Sequence, residues 1–124
     1  MNVRLVHTFR FESAHHLPLL PAEHKCRRLH GHGYGIEVEV RGPIDPELGW
    51  FMDFADIRQA TDPLRQRLDH QVLNDIEGLE NPTAELLSVW IWQHLEPVLS
   101  GLRRVTVLET CTCRCDYLGP RDTS

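Results

Sequence analysis

No apolar run in this 124-residue chain approaches the roughly 20 residues that cross a bilayer. The start, Met1-Asn2-Val3-Arg4, has no signal-peptide core, so a cytoplasmic location is the expectation. Basic residues are outnumbered: thirteen Lys and Arg against eighteen Asp and Glu leave a net charge of −5. That balance argues against nucleic acid or an anionic membrane surface as partner. Cysteine is too sparse and too clustered for a disulfide scaffold. Three of the four, Cys111, Cys113 and Cys115, fall within five residues, and reduced thiols are expected. Repeats and linkers are also missing, and 124 residues can bury a core unaided, so a single domain over 1–124 is expected.

Histidine, by contrast, is concentrated. His15, His30 and His32 lie near Cys26 in the first third of the chain. Three imidazoles can hold a zinc ion and leave its fourth position open, which is the arrangement of a catalytic zinc. If the segment is extended, His30 and His32 point to one side, and Gly31 between them lets the backbone approach the ion or turn around it. The alternative is a solvated histidine-rich loop. Cys26 sits between Lys25 and Arg27-Arg28, cations that lower a thiol's pKa and enrich the thiolate. It is then a base or a nucleophile, or else a fourth zinc ligand that would close the site and make it structural. The same cations suit a substrate phosphate or simply a solvated turn. His7, His24 and His94 are read as surface or satisfied core positions.

Apolar alternation marks a strand over Val3–Phe11, interrupted by His7, and a second over Tyr34–Arg41 that stops at Gly42-Pro43. The histidine and cysteine segment is expected in a loop between them. Asp53 caps a helix from Phe54 with Ile57, Leu64 and Leu68 on one face, and a break or kink is expected at Pro63. Asn81-Pro82-Thr83 starts a second helix, with Leu87, Ile91, Leu95 and Val98 on its face. Val105, Val107, Glu109 and Cys111 then alternate as a strand, and Asp116-Tyr117-Leu118 returns as a short partner. The order β-β-α-α-β-β predicts an α+β fold, an antiparallel sheet with two helices on one face.

Three further features carry chemistry. Asp69-His70 is an acid/base candidate beside a carboxylate, although consecutive side chains diverge unless the backbone bends. Glu109 shares a strand face with Val105 and Val107, where a carboxylate needs a partner: a ligand rich in N–H donors, or an ion pair with Arg103 or Arg104. Cys111, Cys113 and Cys115 share a face if the strand continues, leaving a second metal or redox site open. Trp50, Trp90 and Trp92 are read as core or interface.

Phe11-Glu12-Ser13-Ala14-His15, Cys26-x-x-x-His30-Gly31-His32, Leu68-Asp69-His70, Asn81-Pro82-Thr83-Ala84-Glu85 and Glu109-Thr110 follow one another as in the 6-pyruvoyl-tetrahydropterin synthase family. The resemblance spans nearly the whole chain and is nearest to the bacterial 6-carboxy-5,6,7,8-tetrahydropterin synthase branch, which serves queuosine biosynthesis. Three residues between Cys26 and His30 match that branch, and the cysteine itself differs from the Glu of a related folate-pathway variant. The resemblance implies a tunnelling fold, subunits joined into a barrel, a hexamer of two stacked trimers, and active sites between subunits. It implies zinc on His15, His30 and His32, Cys26 as general base, and Asp69 with His70 as a proton shuttle. Glu109 would grip the pterin, assisted by Thr83 and Glu85. The implied substrate is 7,8-dihydroneopterin triphosphate, converted to 6-carboxytetrahydropterin, acetaldehyde and triphosphate. His16, where the family often has Arg, and the cysteine-rich Cys113-Arg114-Cys115 depart from the pattern.

Overall fold

The computed structural model describes residues 1–123. Its elements run β1 (Asn2–His15), β2 (His30–Pro43), α1 (Phe54–Leu68), α2 (Ala84–Leu95), β3 (Leu102–Leu108) and β4 (Arg114–Tyr117), with 3₁₀ turns at Lys25–Arg27 and Leu73–Asp75. The strands form one antiparallel sheet in the order β1-β2-β3-β4. Helix α1 packs on β1, α2 packs on β3 and β4, and the helices touch each other. This is the α+β arrangement that the pattern of alternation predicts.

The first two strands are longer than apolar alternation suggests. Their pairing continues through Phe11↔Tyr34, Ser13↔His32 and His15↔His30, so the three histidines are strand residues and the intervening loop is shorter than expected. Hydrophobic periodicity fails at this end because the inward positions change from Phe and Tyr to Ser and His while the pleat carries on. Phe9, Phe11, Ser13 and His15 are buried on β1, as are Tyr34, Ile36, Val38 and Val40 on β2. The histidine rings therefore prolong the core-facing stripe. The apolar part of that stripe packs with Ile57, Leu64, Leu87, Ile91 and Val105.

Asp53 caps α1 by accepting from the Ala55 N–H at 2.9 Å. The helix runs through Pro63 without a break. Proline removes one helical hydrogen bond, but Ile57 on one side and Leu64 and Leu68 on the other are buried and hold both halves to the sheet. Helix α2 is capped by Thr83, whose Oγ1 accepts from Leu86 N–H at 3.1 Å. It ends at Leu95, two residues before Pro97, so Val98 falls outside it and is exposed.

β3 stops at Leu108, short of the expected Cys111. Residues 109–113 form a bend in which Thr110 Oγ1 accepts from the Cys113 N–H at 3.1 Å. Glu109 thus leaves the ladder, and Cys111, Cys113 and Cys115 are not neighbours along one strand. β4 begins earlier than expected, at Arg114. On the sheet face away from the helices Arg104 joins Glu37, Glu39 and Asp116. Burial pushes the Glu39 carboxyl up, but hydrogen bonds from Arg41 and Arg104 outweigh it and hold the group below the usual range. Trp90 and Trp92 are buried, while Trp50 is half exposed.

Candidate metal centre and active site

His15 ends β1 and His30 begins β2, paired across the ladder, with His32 two residues further on the same face. His15 is 1% exposed. Its Nδ1 lies 2.8 Å from the Pro82 carbonyl, and His30 Nδ1 lies 2.7 Å from the Arg28 carbonyl. A carbonyl only accepts, so each Nδ1 carries the proton and each Nε2 presents a lone pair. Those two Nε2 atoms face each other at 3.1 Å. Two lone pairs at that distance repel unless a cation sits between them. His32 Nε2 is buried without a hydrogen-bond partner, although Glu109 Oε1 is 2.9 Å away. The same oxygen lies 3.3 Å from His15 Nε2.

The donor atoms of His15, His30, His32 and Glu109 all fall within 4.8 Å of one another. Ligands at zinc's usual bond length of about 2.0–2.1 Å, set at tetrahedral corners, are about 3.3 Å apart. The His15–His30, His15–Glu109 and His32–Glu109 separations of 3.1, 3.3 and 2.9 Å lie near that figure. Outer N–H groups tied to carbonyls are also the usual way in which metal-binding histidines are oriented. The cluster can hold a metal ion. Contact with the His15 ring first, and then the neighbouring His32, holds the Glu109 carboxyl below its ordinary pKa against the opposing effect of burial. Burial lowers the His32 pKa, and the Glu109 charge only partly offsets this. Both shifts favour the metal-binding forms, an ionised carboxylate and a neutral imidazole.

Cys26 is half-buried on the Lys25–Arg27 turn. Its N–H donates to His24 Nδ1 at 3.1 Å, and its carbonyl accepts from Leu17 N–H at 2.8 Å. His24, read as a surface residue, caps this turn. The Cys26 sulfur is outside the four-donor cluster, whose fourth member is Glu109. Arg27 donates to the Leu20 carbonyl at 2.8 Å, while Lys25 and Arg28 are exposed.

Asp69 and His70 meet because the backbone bends. His70 adopts φ +57°, rare for a non-glycine residue, and this brings its Nδ1 to 3.0 Å from Asp69 Oδ2. Asp69 Oδ1 accepts from the Glu12 N–H at 2.9 Å, and the His70 N–H donates to the Glu12 carbonyl at 2.6 Å. The Glu12 N–H, and next the His70 ring, lower the Asp69 pKa. His70 stays 80% exposed. With Glu12, Gly31, His32, Gly33 and Gln71 it lines an open cleft, so it shares a cleft with one histidine of the cluster without entering the donor set. Arg104 is committed to Glu37, Glu39 and Asp116, so the ion pair considered for Glu109 is replaced by histidines.

A second cleft of about 360 Å³ is lined by Ala84, Glu85, Val107, Glu109, Cys113, Arg114 and Cys115. Glu85 and Glu109 therefore share a cavity at the start of α2. The Thr83 hydroxyl is occupied by its capping bond.

Fold and cluster together define a tunnelling-fold protein with a candidate metal centre. The chain belongs to the 6-pyruvoyl tetrahydropterin synthase family, whose profile matches residues 4–120. It is 45% identical to a 6-carboxy-5,6,7,8-tetrahydropterin synthase of Synechocystis over 119 residues, 91% of each chain. It is 32% identical to a dihydroneopterin monophosphate aldolase of Pyrococcus furiosus, over 88% of this chain and 91% of the relative. The solved 6-pyruvoyl tetrahydropterin synthase of Caenorhabditis elegans superposes with a TM-score of 0.88 at 29% identity, covering 96% of both chains.

Apolar patterning alone does not reveal the residues that brace the site. Asn74 accepts from the His16 N–H at 3.0 Å and donates to the His16 carbonyl at 2.8 Å and the Glu80 carbonyl at 3.3 Å. It thereby joins the end of β1 to the turn carrying Pro82, the carbonyl that orients His15. Ser13 donates to the Leu68 carbonyl and accepts from the Gln71 N–H at 3.1 Å, flanking the Asp69-His70 bend. Tyr34, on the apolar side of the second strand, carries a buried hydroxyl with no hydrogen-bond partner among the described residues, and burial with the nearby Glu109 charge raises its pKa well above normal. Asn74→Ala is expected to weaken metal binding about 10- to 100-fold, as loss of outer-shell partners does elsewhere. Chelator competition on protein with unchanged circular dichroism checks this.

Proposed function

We propose that this chain is a cytoplasmic, zinc-dependent lyase converting 7,8-dihydroneopterin triphosphate to 6-carboxy-5,6,7,8-tetrahydropterin, with release of acetaldehyde and triphosphate, in queuosine biosynthesis. The observation that carries the reading is the separation of roles at the site. Two of the histidines have their Nδ1 N–H groups tied to carbonyls, the Nε2 of the third makes no hydrogen bond among the described residues, and Cys26 lies outside the donor cluster, where its sulfur is left for chemistry. The Synechocystis relative supports the choice of product.

His15, His30 and His32 would hold zinc, which when bound polarises the substrate's side-chain oxygens and acidifies the adjoining C–H and O–H groups. The Cys26 thiolate acts as general base on a side-chain proton. His70 exchanges protons through Nε2 during triphosphate loss and carbon–carbon cleavage, while Asp69 holds its Nδ1. Glu109 receives the guanidine-like edge of the pterin through paired charge-assisted hydrogen bonds. Glu85 lines the same cleft, and Thr83 fixes the start of α2 beside it.

A single domain over 1–124 does not complete this site alone. His70 shares a cleft with His32 but is not in the donor set of its own chain, and β1 and β4 are the sheet's edge strands. Both features support a homo-oligomer, a hexamer of stacked trimers, in which a neighbour's Asp69 and His70 serve Cys26. Mixing Cys26→Ala and His70→Ala proteins under subunit exchange is expected to restore part of the activity that each lacks. No recovery would place both residues in one subunit's site.

The product is tested by incubating zinc-loaded protein with 7,8-dihydroneopterin triphosphate and separating the pterins. A 6-carboxy product is expected; a 6-pyruvoyl product would assign the sister activity, which relatives such as the Drosophila 6-pyruvoyl tetrahydrobiopterin synthase, 36% identical over 77% of this chain, carry in their names.

A further inference from the structure

The carboxylate assigned to the pterin stands against the metal-binding atoms. Glu109 Oε1 is 2.9 Å from His32 Nε2 and 3.3 Å from His15 Nε2, so it is the fourth member of the donor set. It also lines the cleft containing Glu85 and Arg114. One side chain therefore touches both the donor set and the cleft. Its backbone belongs to the 109–113 bend rather than to the β3–β4 ladder, which ends at Leu108↔Arg114. The position of Glu109 is not locked by strand pairing.

We propose that Glu109 is a displaceable fourth ligand: it closes the metal centre in the resting protein, and the head group of the substrate opens the centre by drawing Glu109 away. This rests on the pterin reading given above. A carboxylate beside a dication bound by three neutral imidazoles neutralises one of its two charges, a favourable arrangement in a half-buried site. A ligand edge with two adjacent N–H donors offers the same carboxylate a bidentate partner. Moving Glu109 from the three histidines to those donors would leave the metal site open to the oxygens of the substrate's side chain. No electron changes hands, and the proton inventory is unchanged. The exchange links recognition of the head group to exposure of the metal, so a molecule lacking the donor edge meets a closed centre. Specificity then arises from assembly of the site as well as from contact.

The test uses the full-length protein loaded with cobalt(II), whose visible absorption reports coordination. Glu109→Gln, with folding verified by circular dichroism, is expected to change the visible bands of the resting protein and to weaken zinc roughly 10- to 100-fold in chelator competition. Adding 7,8-dihydroneopterin to the wild-type cobalt protein is expected to shift its bands, whereas inorganic triphosphate is not. Identical bands and zinc affinity in wild type and Glu109→Gln would overturn the proposal, as would an unchanged wild-type spectrum when fluorescence shows dihydroneopterin bound. The enzymatic reading fails separately, through absence of turnover by wild-type protein, and that result leaves the spectroscopic comparison intact.

Discussion

Cys26→Ala is expected to retain stoichiometric zinc and to lose activity by about 10²- to 10⁴-fold, the usual contribution of a positioned general base. The metal should stay because the Cys26 sulfur is not in the donor cluster. The fold should stay because the turn is held through the Cys26 backbone, its N–H on His24 Nδ1 and its carbonyl on Leu17 N–H, which alanine preserves. Metal analysis and initial rates on the same preparation check both halves. If the variant were purified without zinc, Cys26 would be a structural ligand and the site a closed tetrahedron.

The second large effect is expected at His15. His15→Ala should abolish stoichiometric zinc binding and also destabilise the apoprotein, because the ring is 1% exposed and its loss leaves the Pro82 carbonyl without its donor. An orphaned buried acceptor costs about 1–3 kcal/mol. His32→Ala should lose the metal with a smaller stability cost, since its side chain is 22% exposed and its Nε2 makes no hydrogen bond. Denaturant melts of the two chelator-treated variants separate the effects; equal destabilisation would contradict the assignment of His15 as both ligand and core residue. Acidification should release metal from the wild type. Burial depresses the His32 pKa below the ordinary imidazole range, so the ring is neutral at pH 7, and protons compete for it only in more acidic solution. Metal content after dialysis across this range is the measurement.

Much of the fold follows from local chemistry that the sequence displays openly. The alternation of β1 and β2, the Asp53 cap and the Asn81-Pro82-Thr83 start all appear where residue type dictates them. The strand ends were harder to read because histidine and glycine carry the pleat beyond the apolar residues. Pro63 misleads for a different reason, since tertiary burial on both sides outweighs one missing hydrogen bond. At the site, the three histidines are recognisable from their spacing, whereas their protonation pattern depends on the carbonyls of Pro82 and Arg28, which no side-chain identity announces. The Asp69-His70 pair depends on a left-handed residue that sequence does not specify. Glu109 was recognisable as a carboxylate in need of a partner, but its contact with the histidines requires β3 to end at Leu108, three residues short of Cys111.

Cleavage of the pterin side chain is tested most directly by the ratio of two small products. Zinc-loaded wild-type protein given 7,8-dihydroneopterin triphosphate should release acetaldehyde and triphosphate in equal amounts. Triphosphate released without acetaldehyde would contradict the account.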